Sequence, residues 1–224
     1  MSIIAPKLYK PRPAAAGGNR LRCMAQTWQW GAAAGLSRWA GVDVTYSASF
    51  TLPGLTQQRT AELFDEACSR WNGVCGIKLR RVQSGGNIIP GAGRIDGGGG
   101  TLAYSYMPGD PSPMSDQLQQ VYDTAEPWEE KFALDVITHE VGHGVGLPHV
   151  DDPASIMYPW ANGKNSGFAR WEIEQMVARY GKPTPVTPPT QPPVDPPAPV
   201  DSWLSAVIRL GGFEYAVNVE RKPI

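Results

Sequence analysis

The sequence predicts an α/β or α+β sandwich, with long helices packed on one side of a sheet. Three observations predict it. Val44, Tyr46, Ala48 and Phe50 alternate as a half-buried strand does. Phe64, Cys68 and Trp71 recur at helical steps and form one apolar stripe. Further short strands and two more helical stretches follow in a chain that is 42% hydrophobic, enough for a core and too apolar for disorder throughout.

The elements follow in order. After the strand at 44–50, a helix is predicted from Thr56 to Asn72. Ile77 and Leu79 begin a second strand, and Asn87–Ile89 form a short third. Thr101–Met107 is another strand, with Leu102, Tyr104 and Tyr106 on one face. Pro127 suits the first position of a helix that ends near Gly144, because its missing N–H would have no helical partner there. A last helix, Phe168–Tyr180, is stopped by Gly181 and Pro183.

Composition sets the boundaries of this domain. Gly and Pro number 25 and 22, about a fifth of the 224 residues, which implies loops and at least one linker. Residues 1–34 read as an extended arm marked by Pro6, Pro11 and Pro13, and 35–181 as the folded domain. Residues 182–200, KPTPVTPPTQPPVDPPAPV, form a semi-rigid linker that cannot build a core. In 201–224, WLSAVIRL and FEYAVNV flank Gly211-Gly212 as a hairpin. Two strands alone are marginal, so this tail is expected to dock or to associate with a copy of itself.

Charge and targeting signals exclude several classes. A net charge of -1 disfavours nucleic acid as a partner. No apolar run approaches the roughly 20 residues of a membrane span. The first residues, MSIIAPKLYKPR, carry no ordinary secretory signal. Three cysteines leave two states open: a Cys68–Cys75 disulfide with Cys23 free, or three reduced thiols.

The chemistry lies in His139-Glu140-Val141-Gly142-His143-Gly144-Val145-Gly146-Leu147-Pro148-His149, which holds every histidine of the chain. His139 and His143 stand one helical turn apart on one face, so both imidazoles reach one ion. Gly146 tolerates positive φ and lets the chain leave the helix sharply, bringing His149 round as a third ligand. Three protein ligands leave the fourth position of a tetrahedral zinc to water, the arrangement of a catalytic rather than a structural site. Glu140 is placed to take a proton from that water.

With Met157 following in Ser155-Ile156-Met157-Tyr158-Pro159, the pattern HExxHxxGxxH plus Met-turn resembles the metzincin zinc peptidases, and the spacing resembles their matrixin branch, the matrix metalloproteinases and their relatives. The likeness spans about residues 37–181, through WAGVDVT at 39–45, GGTLA at 99–103 and the closing helix ending in YG. It implies a zincin-like catalytic domain with a twisted mixed sheet, an active-site helix, and Met157 beneath the metal. It implies that Leu102 and Ala103 lie on an edge strand that pairs with an extended substrate, and that Tyr158, Pro159 and Trp160 wall a side-chain pocket. Asp96 in a DGGGG loop, with Asp123 and Glu126, resembles the family's calcium site.

Departures from the family are informative. Tyr104 and Val121 stand where two histidine ligands of a second zinc would be, so one zinc is expected. Arg22-Cys23 keeps part of the family's latency segment PRCGxPD without its glycine and PD. Cys23 is either a thiolate cap for zinc or an ordinary part-buried cysteine.

The resemblance implies a zinc endopeptidase that hydrolyses extended polypeptides by Glu-assisted attack of zinc-bound water, acting outside the cell. The alternative is a catalytically idle binding module of the same fold, or an accessory component of a phage or surface assembly.

Overall fold

The computed structural model describes residues 22–25, 37–109, 117–161, 167–183, 203–210 and 213–220. The remainder of the arm, nearly all of the proline-rich linker and Gly211-Gly212 lie outside the described residues. Two compact units divide at Thr184–Pro185.

The first unit is built on a six-stranded mixed sheet. Its strands are β1 (Arg22–Ala25), β2 (Asp43–Tyr46), β3 (Lys78–Arg81), β4 (Ile88–Gly93), β5 (Thr101–Ser105) and β6 (Leu118–Asp123), in spatial order β1-β5-β6-β4-β2-β3. β6, β4, β2 and β3 run parallel to one another, whereas β5 is antiparallel to β6 and β1 is parallel to β5. Helix α1 (Gln57–Val74) packs against helix α2 (Glu130–Gly144), and helix α3 (Arg170–Tyr180) closes the unit.

The core explains this packing. Leu63, Phe64, Ala67, Cys68 and Trp71 form the buried stripe of α1, matching its sequence period. The Thr56 hydroxyl caps α1 by accepting from the Arg59 amide at 3.1 Å. Trp71 is fully buried and donates its indole N–H to the Thr138 carbonyl at 2.9 Å, which ties α1 to the middle of α2. Cys68 and Cys75 are free and buried, so the Cys68–Cys75 disulfide is not formed, while the Cys23 side chain lies outside the described residues. Burial is the leading cause that pushes both thiols above their ordinary range.

Several sequence expectations shift here. The first strand stops at Tyr46, although Ala48 and Phe50 remain buried beyond it. Helix α2 begins at Glu130 rather than Pro127, because buried Trp128 turns inward and donates to the Asp123 carbonyl at 2.8 Å. Phe168 precedes α3 and packs on Trp71, ring centroids 4.3 Å apart. β6, unforeseen in the sequence, is a central strand. β5 is not the rim of the sheet: β1 pairs outside it, with Cys23 opposite Ala103 and Met24 opposite Tyr104 in register.

The second unit is a hairpin of β7 (Trp203–Leu210) and β8 (Phe213–Glu220) in antiparallel register, from Trp203 opposite Glu220 to Leu210 opposite Phe213. Each unit is compact by itself. Removing residues 184–224 is therefore expected to leave a cooperatively melting first unit, checked by thermal denaturation. Loss of the single transition on truncation would place the tail in the core.

Candidate active site

Helix α2 carries His139, Glu140 and His143, and all three are buried. At its end Val145 and Gly146 donate to the Val141 and His143 carbonyls, and Gly146 adopts φ 98°. An added Cβ at Gly146 would strike the Ser37 carbonyl oxygen, so the position requires glycine for space as well as for conformation. The chain then leaves the helix and returns His149 to its side.

The three imidazoles converge. His139 Nε2 lies 3.0 Å from His143 Nε2 and 3.1 Å from His149 Nε2, and the last two are 3.1 Å apart. The triangle is small enough that one point above its plane lies about 2.0–2.1 Å from every corner, the bond length of zinc to histidine. Among the described residues, these histidines form the one group of three or more His, Cys, Asp or Glu ligand atoms within 4.8 Å of one another.

Their outer nitrogens fix the tautomers. His139 Nδ1 donates to the Ile156 carbonyl at 2.6 Å, and His143 Nδ1 donates to the Leu147 carbonyl at 2.7 Å. Each proton is thereby held on Nδ1, leaving the inward Nε2 as a lone pair, as metal-binding histidines require. Burial holds all three rings neutral, with His139 pushed down to about 4 and the other two also well below their ordinary value. Neutral imidazoles with three lone pairs aimed at one point repel one another unless a cation sits between them, so the donor set fits zinc.

Met157 is fully buried against Gly142, the residue before His143, where the Trp71 ring also packs. Val150, next to His149, donates its amide to the Met157 carbonyl at 3.1 Å, so the third-histidine loop and the methionine turn hold each other. The Ser155 hydroxyl accepts from the Met157 amide at 2.9 Å and donates to the buried carboxyl group of Glu172 on α3. Ile156, Leu147, Ser155 and Glu172 thus support the histidines. Sequence reasoning missed them because the histidine contacts use backbone carbonyls, which leave no trace in residue identity.

Leu102 and Ala103 are buried on β5, and the strand's outer edge is occupied by β1. Pro159 is buried, with Tyr158 and Trp160 half-buried. A cavity of about 240 Å³ beside the site is lined by Arg70, Thr138, Ile156, Gly167 and Phe168, a set that does not include those three. It lies against Thr138, which precedes His139, and Ile156, which orients it.

Asp96, Asp123 and Glu126 are not gathered into one ligand group. Asp96 accepts from the Thr101 amide and hydroxyl at 2.9 and 2.7 Å. Asp123 accepts from the amides of Asp96, Gly97 and Ala125, and Glu126 from those of Gly99 and Gly100. Burial pushes the Asp123 carboxyl up, but the amide bonds outweigh it and hold the group below its ordinary range.

Comparison with known proteins gives this arrangement its class. The family model described as Matrixin (Peptidase_M10) matches residues 38–175. Cat matrilysin is 32% identical over 162 residues, covering 65% of this chain and 60% of that protein. Rat macrophage metalloelastase is 29% identical over 176 residues, covering 71% and 37%, and human matrix metalloproteinase-16 is 28% identical over 181, covering 69% and 29%. The chain therefore spans less than two thirds of the length of each of these relatives. The first unit has an α+β metzincin catalytic fold. The chain belongs to the matrixin family, whose members are zinc metallopeptidases.

Proposed function

We propose that the chain is a zinc-dependent endopeptidase acting on extended polypeptide. The observation that carries this reading is the convergence of three neutral imidazoles, two with their outer N–H groups donated to backbone carbonyls, beside a buried glutamate. His139, His143 and His149 would hold one zinc, which supplies Lewis acidity to water and to the scissile carbonyl when bound. Glu140 takes the proton of the attacking water and delivers it to the departing amine. With β1 displaced from its outer edge, β5 would offer its backbone at Leu102 and Ala103 to the substrate chain, strand to strand. Tyr158, Pro159, Trp160 and the neighbouring cavity receive a side chain of the substrate.

Residues 35–181 are the peptidase domain in this reading, with 1–34 as an arm, 182–200 as a spacer and 201–224 as a docking or self-associating tail. Family membership favours action outside the cell, on protein or peptide. Among the described residues no helix is long and apolar enough to cross a membrane. The Asp96 loop, with Asp123 and Glu126, offers only oxygen ligands, which suits calcium and not zinc. Calcium there would order the glycine-rich connection into β5.

A peptide-library digest with the purified protein, with and without a zinc chelator, tests the reading. Cleavage that stops on chelation and returns with added zinc is expected, alongside one zinc and about one calcium per chain by elemental analysis. Cleavage indifferent to chelation would refute it. Zinc without calcium, and a melting temperature unmoved by added calcium, would return the loop to its own hydrogen bonds.

A further inference from the structure

The central strand β6 places a glutamine where the pattern calls for an apolar residue. Leu118, Gln120 and Tyr122 all face the core, and Gln120 and Tyr122 have no exposed surface. A buried amide is tolerated only when it is hydrogen-bonded. Gln120 uses both donors and its acceptor. Its Nε2 donates to the Ser105 hydroxyl on β5 at 3.0 Å and to the main-chain carbonyl of Glu140 on α2 at 2.7 Å. Its Oε1 accepts from the Tyr122 hydroxyl at 3.2 Å. The Ser105 hydroxyl in turn donates to the Tyr106 carbonyl at 2.9 Å.

The helix is shaped to admit this side chain. Gly144 lies one turn beyond Glu140, and an added Cβ there would stand 2.9 Å from Gln120 Nε2 and 3.1 Å from Ile88 Cδ1. The amide reaches the Glu140 carbonyl because that position has no side chain. Ser105, Gln120 and Gly144 thus form one contact, and its ends are the strand offered to substrate and the turn of helix that bears Glu140. Core filling alone does not account for it. A methionine would occupy the same volume without desolvating an amide, and nothing in sheet pairing requires the Glu140 carbonyl to be gripped from β6.

We propose that Gln120 is a positioning residue for hydrolysis. It holds the Glu140 turn of α2 at a set distance from β5, so that the base stands in register with a peptide bond paired to that strand. The role rests on the peptidase reading above. A shift of about 1 Å between a base and its substrate can lower turnover by roughly 10²-fold without weakening binding, so the effect belongs in kcat.

Gln120→Met, Ser105→Ala and their double variant test this in the full chain. Turnover and KM are measured on a cleaved peptide, together with zinc content and hydrogen exchange of the 140–144 amides. For Gln120→Met, kcat is expected to fall about tenfold or more, with KM within about twofold of wild type. Zinc content should not change, and the 140–144 amides should exchange faster. Ser105→Ala should fall less, and the double variant should be no worse than Gln120→Met. A fall in melting temperature alone, or a change in KM alone, with wild-type kcat, would overturn the proposal. If Gln120→Met does not fold, Gly144→Ala replaces it, since its methyl group displaces the same amide, and wild-type kcat there overturns the proposal equally. A wild-type protein that cleaves nothing defeats the peptidase reading, whereas unchanged exchange at 140–144 defeats the positioning role by itself.

Discussion

His143→Ala is expected to yield protein without tightly bound zinc and without measurable peptide hydrolysis. His143 Nε2 stands at 3.0–3.1 Å from both of the other ligand nitrogens, so it is a corner of the triangle and not a peripheral contact. Its removal leaves two imidazoles, short of the three protein ligands of a catalytic zinc site. The Leu147 carbonyl also loses its imidazole donor, and with it one bond holding the chain reversal after α2. Elemental analysis of the dialysed variant checks the first effect, and a fluorogenic peptide assay checks the second. Stoichiometric zinc in His143→Ala would show that the metal is held elsewhere.

Removing residues 1–34 is expected to raise kcat/KM toward an extended peptide about tenfold or more, because a tethered strand competes at high effective concentration. β1 lies along the outer edge of β5, parallel to it, from Arg22 opposite Thr101 to Ala25 opposite Ser105. In the proposed reading a substrate chain would pair with this same edge of β5. The first unit keeps its footing without the arm, since Ser37 accepts from Arg179 at 3.1 Å, and Trp39 donates to the Gly144 carbonyl at 2.9 Å. The comparison is made at equal zinc content. Cys23→Ser separates the two ways the arm could act: activation by that change alone indicates a thiolate cap, and activation only by deletion indicates strand competition. Equal kcat/KM with and without the arm would show that β1 yields freely to substrate.

The site was more legible in the sequence than the sheet. The spacing of His139, His143 and His149, with Gly146 between them, constrains a helix and a reversal, and local geometry alone brings the imidazoles together. α1 was equally plain, because a single apolar stripe is enough to define a helix. β6 was hidden because Gln120 interrupts the apolar alternation of Leu118 and Tyr122, and its amide is satisfied only by partners on β5 and α2. β1 was hidden for a similar reason. Arg-Cys-Met-Ala has no alternation to display, and its pairing depends on an edge more than seventy residues away. The start of α2 was misplaced because Pro127 is compatible with a first helical turn, while the tertiary contact from Trp128 to Asp123 decided otherwise.

Glu140→Ala tests the central claim most directly, with zinc content and hydrolysis measured on the same preparation. The variant is expected to hold one zinc per chain, as the wild type does, and to lose roughly 10²–10⁴-fold in kcat, the usual contribution of a positioned general base. Cleavage by Glu140→Ala at the wild-type rate would contradict that claim.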